Sequence, residues 1–281
     1  MEWSRSGAVL IGAFSGWNDA ADSATAAVEW LQDAWDARPT HSLDAEEYYD
    51  YQVLRPIVDI SEGVIRELRW RGSRVMVARP DGLGRTVLLL SGAEPSFHWR
   101  RYCTEVAAVA EEHQVSQVVL LGAFLAATPH SRPVPIVGAA HDAEAARTLG
   151  LERTEYEGPT GITGALHAHF AGAGIATVSL FAAVPHYAAE PTCAKATLAL
   201  MRRLEDMLDI SIPYGSLPER VRQWEQEIDA AIQDDEDLVE FVRRLEEQAP
   251  INDLREASGD QIAREFERYL RRRGPEDGTT S

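Results

Sequence analysis

Short apolar runs alternate with helical stripes along residues 1–216. The run 8–15 is continuously apolar and closes on Gly16, so it predicts a buried strand. Ala24, Val28 and Leu31 recur at helical spacing and predict a helix over 19–35, capped by Asn18. Residues 46–51, 64–70 and 74–78 read as strands, and Arg71-Gly72-Ser73 between the last two predicts a hairpin with exposed apolar residues, among them Trp70, Val75 and Val77. Segments 85–90, 117–125, 134–138 and 175–184 predict further strands, with helices over 99–113, near 162–170 and over 192–208. Strands alternating with helices predict the α/β class, with a parallel or mixed sheet covered on both faces.

The pattern changes after Pro213-Tyr214-Gly215. Val221, Trp224, Ile228 and Ile232 form one helical stripe; Leu238, Phe241, Val242 and Leu245 form a second; Ile262, Phe266 and Tyr269 form a third. Each stripe is one-sided and must pack on something. The expected organisation is an α/β core over 1–216, a helical appendage over 217–270 and a disordered tail over 271–281.

Charge narrows the function. Forty-five acids against 27 bases leave a net charge of −18. A free-standing nucleic-acid binder needs a basic face, and an anionic membrane surface would repel this chain. The longest apolar stretches, 118–127 and 175–184, fall short of the ~20 residues of a membrane-spanning helix. Cys103 and Cys193 are the only cysteines; two distant thiols fit a reducing cytoplasm. No metal-ligand spacing occurs, so neither metal nor other cofactor is expected. Lys195 is the only lysine, which excludes mechanisms needing one elsewhere.

Five segments are unlike core filler. In Gly12–Ala20 a strand enters a glycine turn before a helix, the geometry of an anion cradle, but Asp19 and Asp22 in the first helical turn would repel a phosphate. Glu47-Tyr48-Tyr49-Asp50-Tyr51, read as a strand, lines either a pocket or an interface with phenols and carboxylates. In 91–100, Glu94, Trp99 and Arg100 follow a buried strand, where open sheets place their ligands. In 128–135 three prolines stiffen the loop that carries His130 and Arg132. The fifth segment joins Tyr156, Glu157 and Thr160 before a helix to His186 and Tyr187 after a strand. His167 and His169 lie two apart on a helix and do not face each other. No Gly-x-Ser-x-Gly elbow or Ser/His/Asp trio is legible.

Six of these pieces occur in a fixed order: Gly16-Trp17-Asn18-Asp19-Ala20, Tyr48-Tyr49-Asp50-Tyr51, Gly92-x-Glu94-Pro95-x-x-x-Trp99-Arg100, Pro129-His130-x-Arg132-Pro133, Tyr156-Glu157-Gly158-Pro159-Thr160-Gly161 and Pro185-His186-Tyr187. Over roughly residues 7–210 the set resembles the prokaryotic branch of the proteasome assembly chaperone 2 family, and the acidic helical appendage resembles its extended actinobacterial members. The resemblance implies a three-layer α/β/α core like the purine nucleoside phosphorylase fold. It also implies homo-oligomers, trimers, with the appendage lying over a pocket as a lid. Assembly chaperones of the family often end in a hydrophobic-Tyr-x tail, whereas this sequence ends Asp277-Gly-Thr-Thr-Ser281, so docking by that route is not expected. Two functions follow as expectations. One is a non-enzymatic assembly factor with a protein partner. The other is a small-ligand-binding protein or a phosphorylase- or hydrolase-like enzyme with a lidded pocket.

Overall fold

The computed structural model describes residues 7–43, 45–151, 156–189 and 192–247. Nine strands and eight α-helices are seen there: β1 (Ala8–Ser15), α1 (Ser23–Ala34), β2 (Arg38–Ser42), α2 (Ala45–Tyr48), β3 (Ile57–Ser61), β4 (Val64–Arg69), β5 (Arg74–Ala78), β6 (Val87–Ala93), α3 (Trp99–Glu112), β7 (Val115–Ala126), β8 (Ile136–Ala140), α4 (Ala143–Thr148), α5 (Ile162–Gly172), β9 (Ala176–Pro185), α6 (Ala194–Leu208), α7 (Leu217–Ile232) and α8 (Glu236–Glu247). Seven strands form one mixed sheet in the order β2-β5-β6-β1-β7-β9-β8, while β3 and β4 form a separate two-stranded sheet.

The four central strands β6, β1, β7 and β9 run parallel and are apolar on both sides. Along β1, Val9, Ile11 and Ala13 enter one core while Leu10 and Phe14 enter the other. β6 divides Val87 and Leu89 from Leu88 and Leu90 in the same way. Burial on both faces explains why these strands read as unbroken apolar runs. α1 and α6 cover the first face through Ala24, Val28, Leu31, Leu200, Met201 and Leu204. α3 and α5 cover the second through Tyr102, Val106, Leu166 and Phe170. The result is a three-layer α/β/α arrangement. Trp224, Ile228 and Ile232 of α7 and Val242 of α8 continue the first core outward, with α7 seated on α6. The third stripe, Ile262, Phe266 and Tyr269, and the tail 271–281 lie outside the described residues.

Several local expectations are corrected. Residues 46–51 are not a strand: α2 ends at Tyr48 and a loop follows. Tyr48 and Tyr49 are adjacent and both buried in the same core, which strand alternation forbids. Arg71-Gly72-Ser73 does not close a hairpin. β4 pairs antiparallel with β3 through the two-residue turn Glu62-Gly63, both at positive φ as a type I′ turn requires, and β5 lies between β2 and β6 in the main sheet. Ser73 instead crosses Gly92, where a Cβ would overlap the carbonyl of Gly72. Val75 is consequently buried, whereas Trp70 is exposed. The first helix begins at Ser23 and not at 19, because Ala21 and Asp22 adopt left-handed backbone after a single tight turn. β2, β3 and α4 were not anticipated.

Candidate functional site

Most of the candidate side chains follow the C-terminal ends of the parallel strands, where they form two separate clusters. The first joins the ends of β1 and β6 to the start of α5. The Glu94 N–H donates to Ser15 O (2.9 Å), and the Glu94 carboxylate accepts from the Ile162 N–H (2.8 Å). Glu94 therefore occupies the N-terminus of α5, where a carboxylate satisfies an orphan donor and complements the helix dipole. Gly161 has to be glycine here: a Cβ would overlap Asn18 Oδ1 and stand 2.6 Å from Glu94 Oε1. Asn18 Oδ1 is itself buried without a hydrogen-bond partner, while the Asn18 carbonyl accepts from the Ala123 N–H of β7 (2.7 Å).

Asp19, 5% exposed, looks inward. Its carboxylate accepts from the backbone N–H groups of Ala24 (2.6 Å) and Thr25 (3.2 Å) and from the Thr25 hydroxyl, bracing the start of α1. Burial outweighs these three hydrogen bonds and pushes the carboxyl up to about 6.

Tyr49 supports the same cluster from behind. Tyr102 donates to Ser73 Oγ (2.7 Å), Ser73 pairs with the Tyr49 hydroxyl (2.6 Å), and Tyr49 donates to Ala93 O at the end of β6 (2.9 Å). Burial raises both phenols, which stay protonated as donors. The Asp50 N–H donates to Ser96 Oγ and Asp50 Oδ1 accepts from the Gln52 N–H, closing the loop against 94–97. The Trp99 indole donates to Pro95 O (2.6 Å).

The second cluster gathers the loops after β7 and β9 beneath α7. His130 is 3% exposed. Its backbone N–H donates to the Tyr187 hydroxyl (2.8 Å), which lies 2.9 Å from Nδ1, while Nε2 lies 2.9 Å from Asp229 Oδ1 on α7. One proton arrangement satisfies all three contacts: Tyr187 donates to Nδ1, and Nε2–H donates to the carboxylate. Lys195, at the first turn of α6, donates to His130 O (2.5 Å) and pairs with Glu225 of α7 (2.6 Å). Arg132 donates to the Glu246 carbonyl of α8. His186 Nδ1 donates to Ala126 O (3.2 Å), and its ring packs on Phe241.

Of the fifteen candidates, Asn18, Asp19, Tyr49 and Glu94 meet around the first cluster; His130, Arg132, His186 and Tyr187 meet around the second. Trp17, Arg100, Tyr156, Glu157 and Thr160 are exposed, with Tyr156 donating to its own loop at Pro159 O. Lys195, Glu225 and Asp229 were missed as site residues; the solitary lysine at a helix start was the available signal for the first. Cys103 and Cys193 are buried and free, and burial pushes both thiols up to about 11, which keeps them un-ionised at neutral pH. Among the described residues no three His, Cys, Asp or Glu side chains are grouped to hold a metal, and no helix is long and apolar enough to cross a membrane. Two open depressions, one between β2 and α3 and one at 79–86, are lined by residues of neither cluster.

Comparison with known proteins places this architecture. The model of the PAC2 family matches residues 13–232. The proteasome-assembly chaperone homologue of Mycobacterium tuberculosis is 49% identical, with 83% of this chain and 99% of that chain covered and a TM-score of 0.78. A PAC2 family protein from Streptomyces avermitilis is 47% identical over 84% of this chain and 99% of that one, also with a TM-score of 0.78. PbaB of Pyrococcus furiosus, an archaeal proteasome activator, shares the fold at 15% identity and a TM-score of 0.66, over 80% of this chain and 93% of that one. No curated protein matches the chain.

Proposed function

The chain belongs to the PAC2 family, and from that premise we propose that it is a chaperone-like assembly factor, acting in the cytoplasm through protein–protein contact as a homotrimer. The observation that carries this reading is the β3–β4 hairpin. Every residue of both strands is exposed, and Ile57, Val58, Ile60, Val64, Ile65 and Leu68 present apolar side chains to solvent. An isolated two-stranded hairpin is marginal in water, and a contiguous apolar patch on such an element marks a protein-contact surface. The M. tuberculosis relative, described as a proteasome-assembly chaperone homologue, supports the same reading. So does the internal engagement of Glu94, Asp19 and His130, which serve helix starts and loop anchoring.

Native purification of tagged full-length protein from its own cells tests this. The expected eluate holds a second protein in fixed ratio, whose own complex fails to reach full size in cells lacking the chain. A small molecule retained in unit ratio, with no protein companion, would overturn the reading.

That outcome belongs to a second reading, favoured by the polar set under α7. His130, Tyr187, Lys195 and Asp229 are gathered where α7 and α8 cover the strand-end loops. Residues 217–270 would then be a lid on the 1–216 core, and lifting it would bare an acid–base group.

A further inference from the structure

We infer that the β3–β4 hairpin is a docking arm whose occupant is the acidic α7–α8 face of a second copy, so that copies join head to tail. This rests on the protein-contact reading above and names the partner of that surface. On one side of the hairpin Val58 pairs with Leu68 and Ile60 with Ile65, the bulge between Asp59 and Ile60 bringing both pairs to the same face. These four side chains are 45–65% exposed. At the base, Tyr51 packs on the exposed Trp70 ring (4.7 Å between centroids), an aromatic of the kind that anchors interfaces.

Charge selects the occupant. Residues 55–79 hold six arginines against three acids, a basic stretch on a chain of net charge −18. A symmetric contact of hairpin on hairpin would oppose like charges. The chain carries the complement itself: residues 217–247 hold eleven acids against four arginines, including the run Asp234-Asp235-Glu236-Asp237. Beside that run Val239 is exposed, while Trp224, Ile228, Val242 and Leu245 hold the inner side of α7 and α8 buried. An apolar arm framed by arginines meets an acidic face with an apolar spot, which favours encounter and fixes orientation. Because arm and face are different surfaces, the contact is heterologous, and heterologous contacts close into rings.

Complementation between two full-length variants tests this directly by light scattering. Val58→Asp with Leu68→Asp removes the arm; Asp234→Arg with Asp237→Arg reverses the face and leaves the helix-capping Asp235 intact. Each variant alone should fall to the mass of one chain. An equimolar mixture should regain a two-chain species, since one intact arm meets one intact face. Arg66→Glu with Arg69→Glu keeps the apolar quartet and should also lose assembly, so that a local folding defect of the first variant does not decide the outcome. A face variant that keeps the wild-type mass, or a mixture that remains single chains, overturns the inference. A wild-type oligomer indifferent to every variant overturns this assignment of surfaces alone, whereas a wild-type monomer overturns the homo-oligomer reading as well.

Discussion

At the end of β1, one carboxylate sets how the first helix begins. Asp19 is pushed up to about 6 by burial, against 3.8 for the free side chain. Between those values the folded chain keeps a proton that the unfolded chain has released. Stability is therefore greatest below about pH 4 as far as this group is concerned. It falls as pH rises to about 6, by up to about 3 kcal/mol at 1.36 kcal/mol per unit. Asp19→Asn should flatten the stability curve across that window in urea titrations, and an unchanged slope would contradict the assignment. Gly161 carries a second prediction. Its backbone is extended, at φ −89 and ψ −173, so Gly161→Ala is sterically costly only through Asn18 and Glu94. A loss of about 1–3 kcal/mol is expected from overpacking. Part of it should return in the double variant with Asn18→Ala, because the two sites share one contact. Equal losses in single and double variants would sink the steric explanation. The glycine turn of the Gly16–Asp19 segment was legible from its residues. Its bracing role was not, because Asp19 reaches Thr25 only through two left-handed residues that no periodicity signals.

Elements were legible in proportion to how fully they are buried. β1, β6, β7 and β9 carry long apolar runs because both of their faces meet helices, and α3 and α6 show clear stripes. β2 was invisible since it is a sheet edge with the sequence Arg-Pro-Thr-His-Ser; an edge strand tolerates Pro39 and needs little apolar content. The segment 46–51 misled because alternating aromatics and acids mimic a strand, while its tyrosines are buried by a helical turn and a loop. Of the strand-end residues, the two histidines and Tyr187 could be picked out by position. Their partners Asp229 and Glu225 could not, since they come from α7, about a hundred residues from His130. That junction yields a prediction. Trp224 is 2% exposed and packs against the His130 ring at 6.4 Å between centroids. Trp224→Ala should cost about 3–5 kcal/mol of docking energy. Hydrogen exchange should accelerate over 217–247, an apolar-binding dye should gain a site, and the sheet should keep its protection. Protection of 217–247 unchanged from wild type would show that α7 is held by other means.

For the molecule as a whole, the architecture puts chemistry and contact in different places. The parallel strands deliver polar side chains to one end of the sheet, where helix starts and the α7–α8 pair engage them. The hairpin departs from the sheet between Leu54 and Arg74 with its apolar side chains exposed. An arm of that composition is stable in water only if another chain covers it, and the distribution of charge, basic at the arm and acidic at α7–α8, provides a cover within the same sequence. Added salt should weaken such an assembly, because half-exposed arginines and acids are screened within about 10 Å at 0.1 M. The α/β class could be deduced from the alternation of runs and stripes. That the arm stands apart from the main sheet could not, because β4 and β5 have the same apolar density and only pairing distinguishes them. The most direct measurement is the mass of the full chain in solution by light scattering at micromolar concentration and low salt. A mass of three times 31.0 kDa is predicted; a mass of 31.0 kDa, with the hairpin left uncovered, would contradict assembly through this arm.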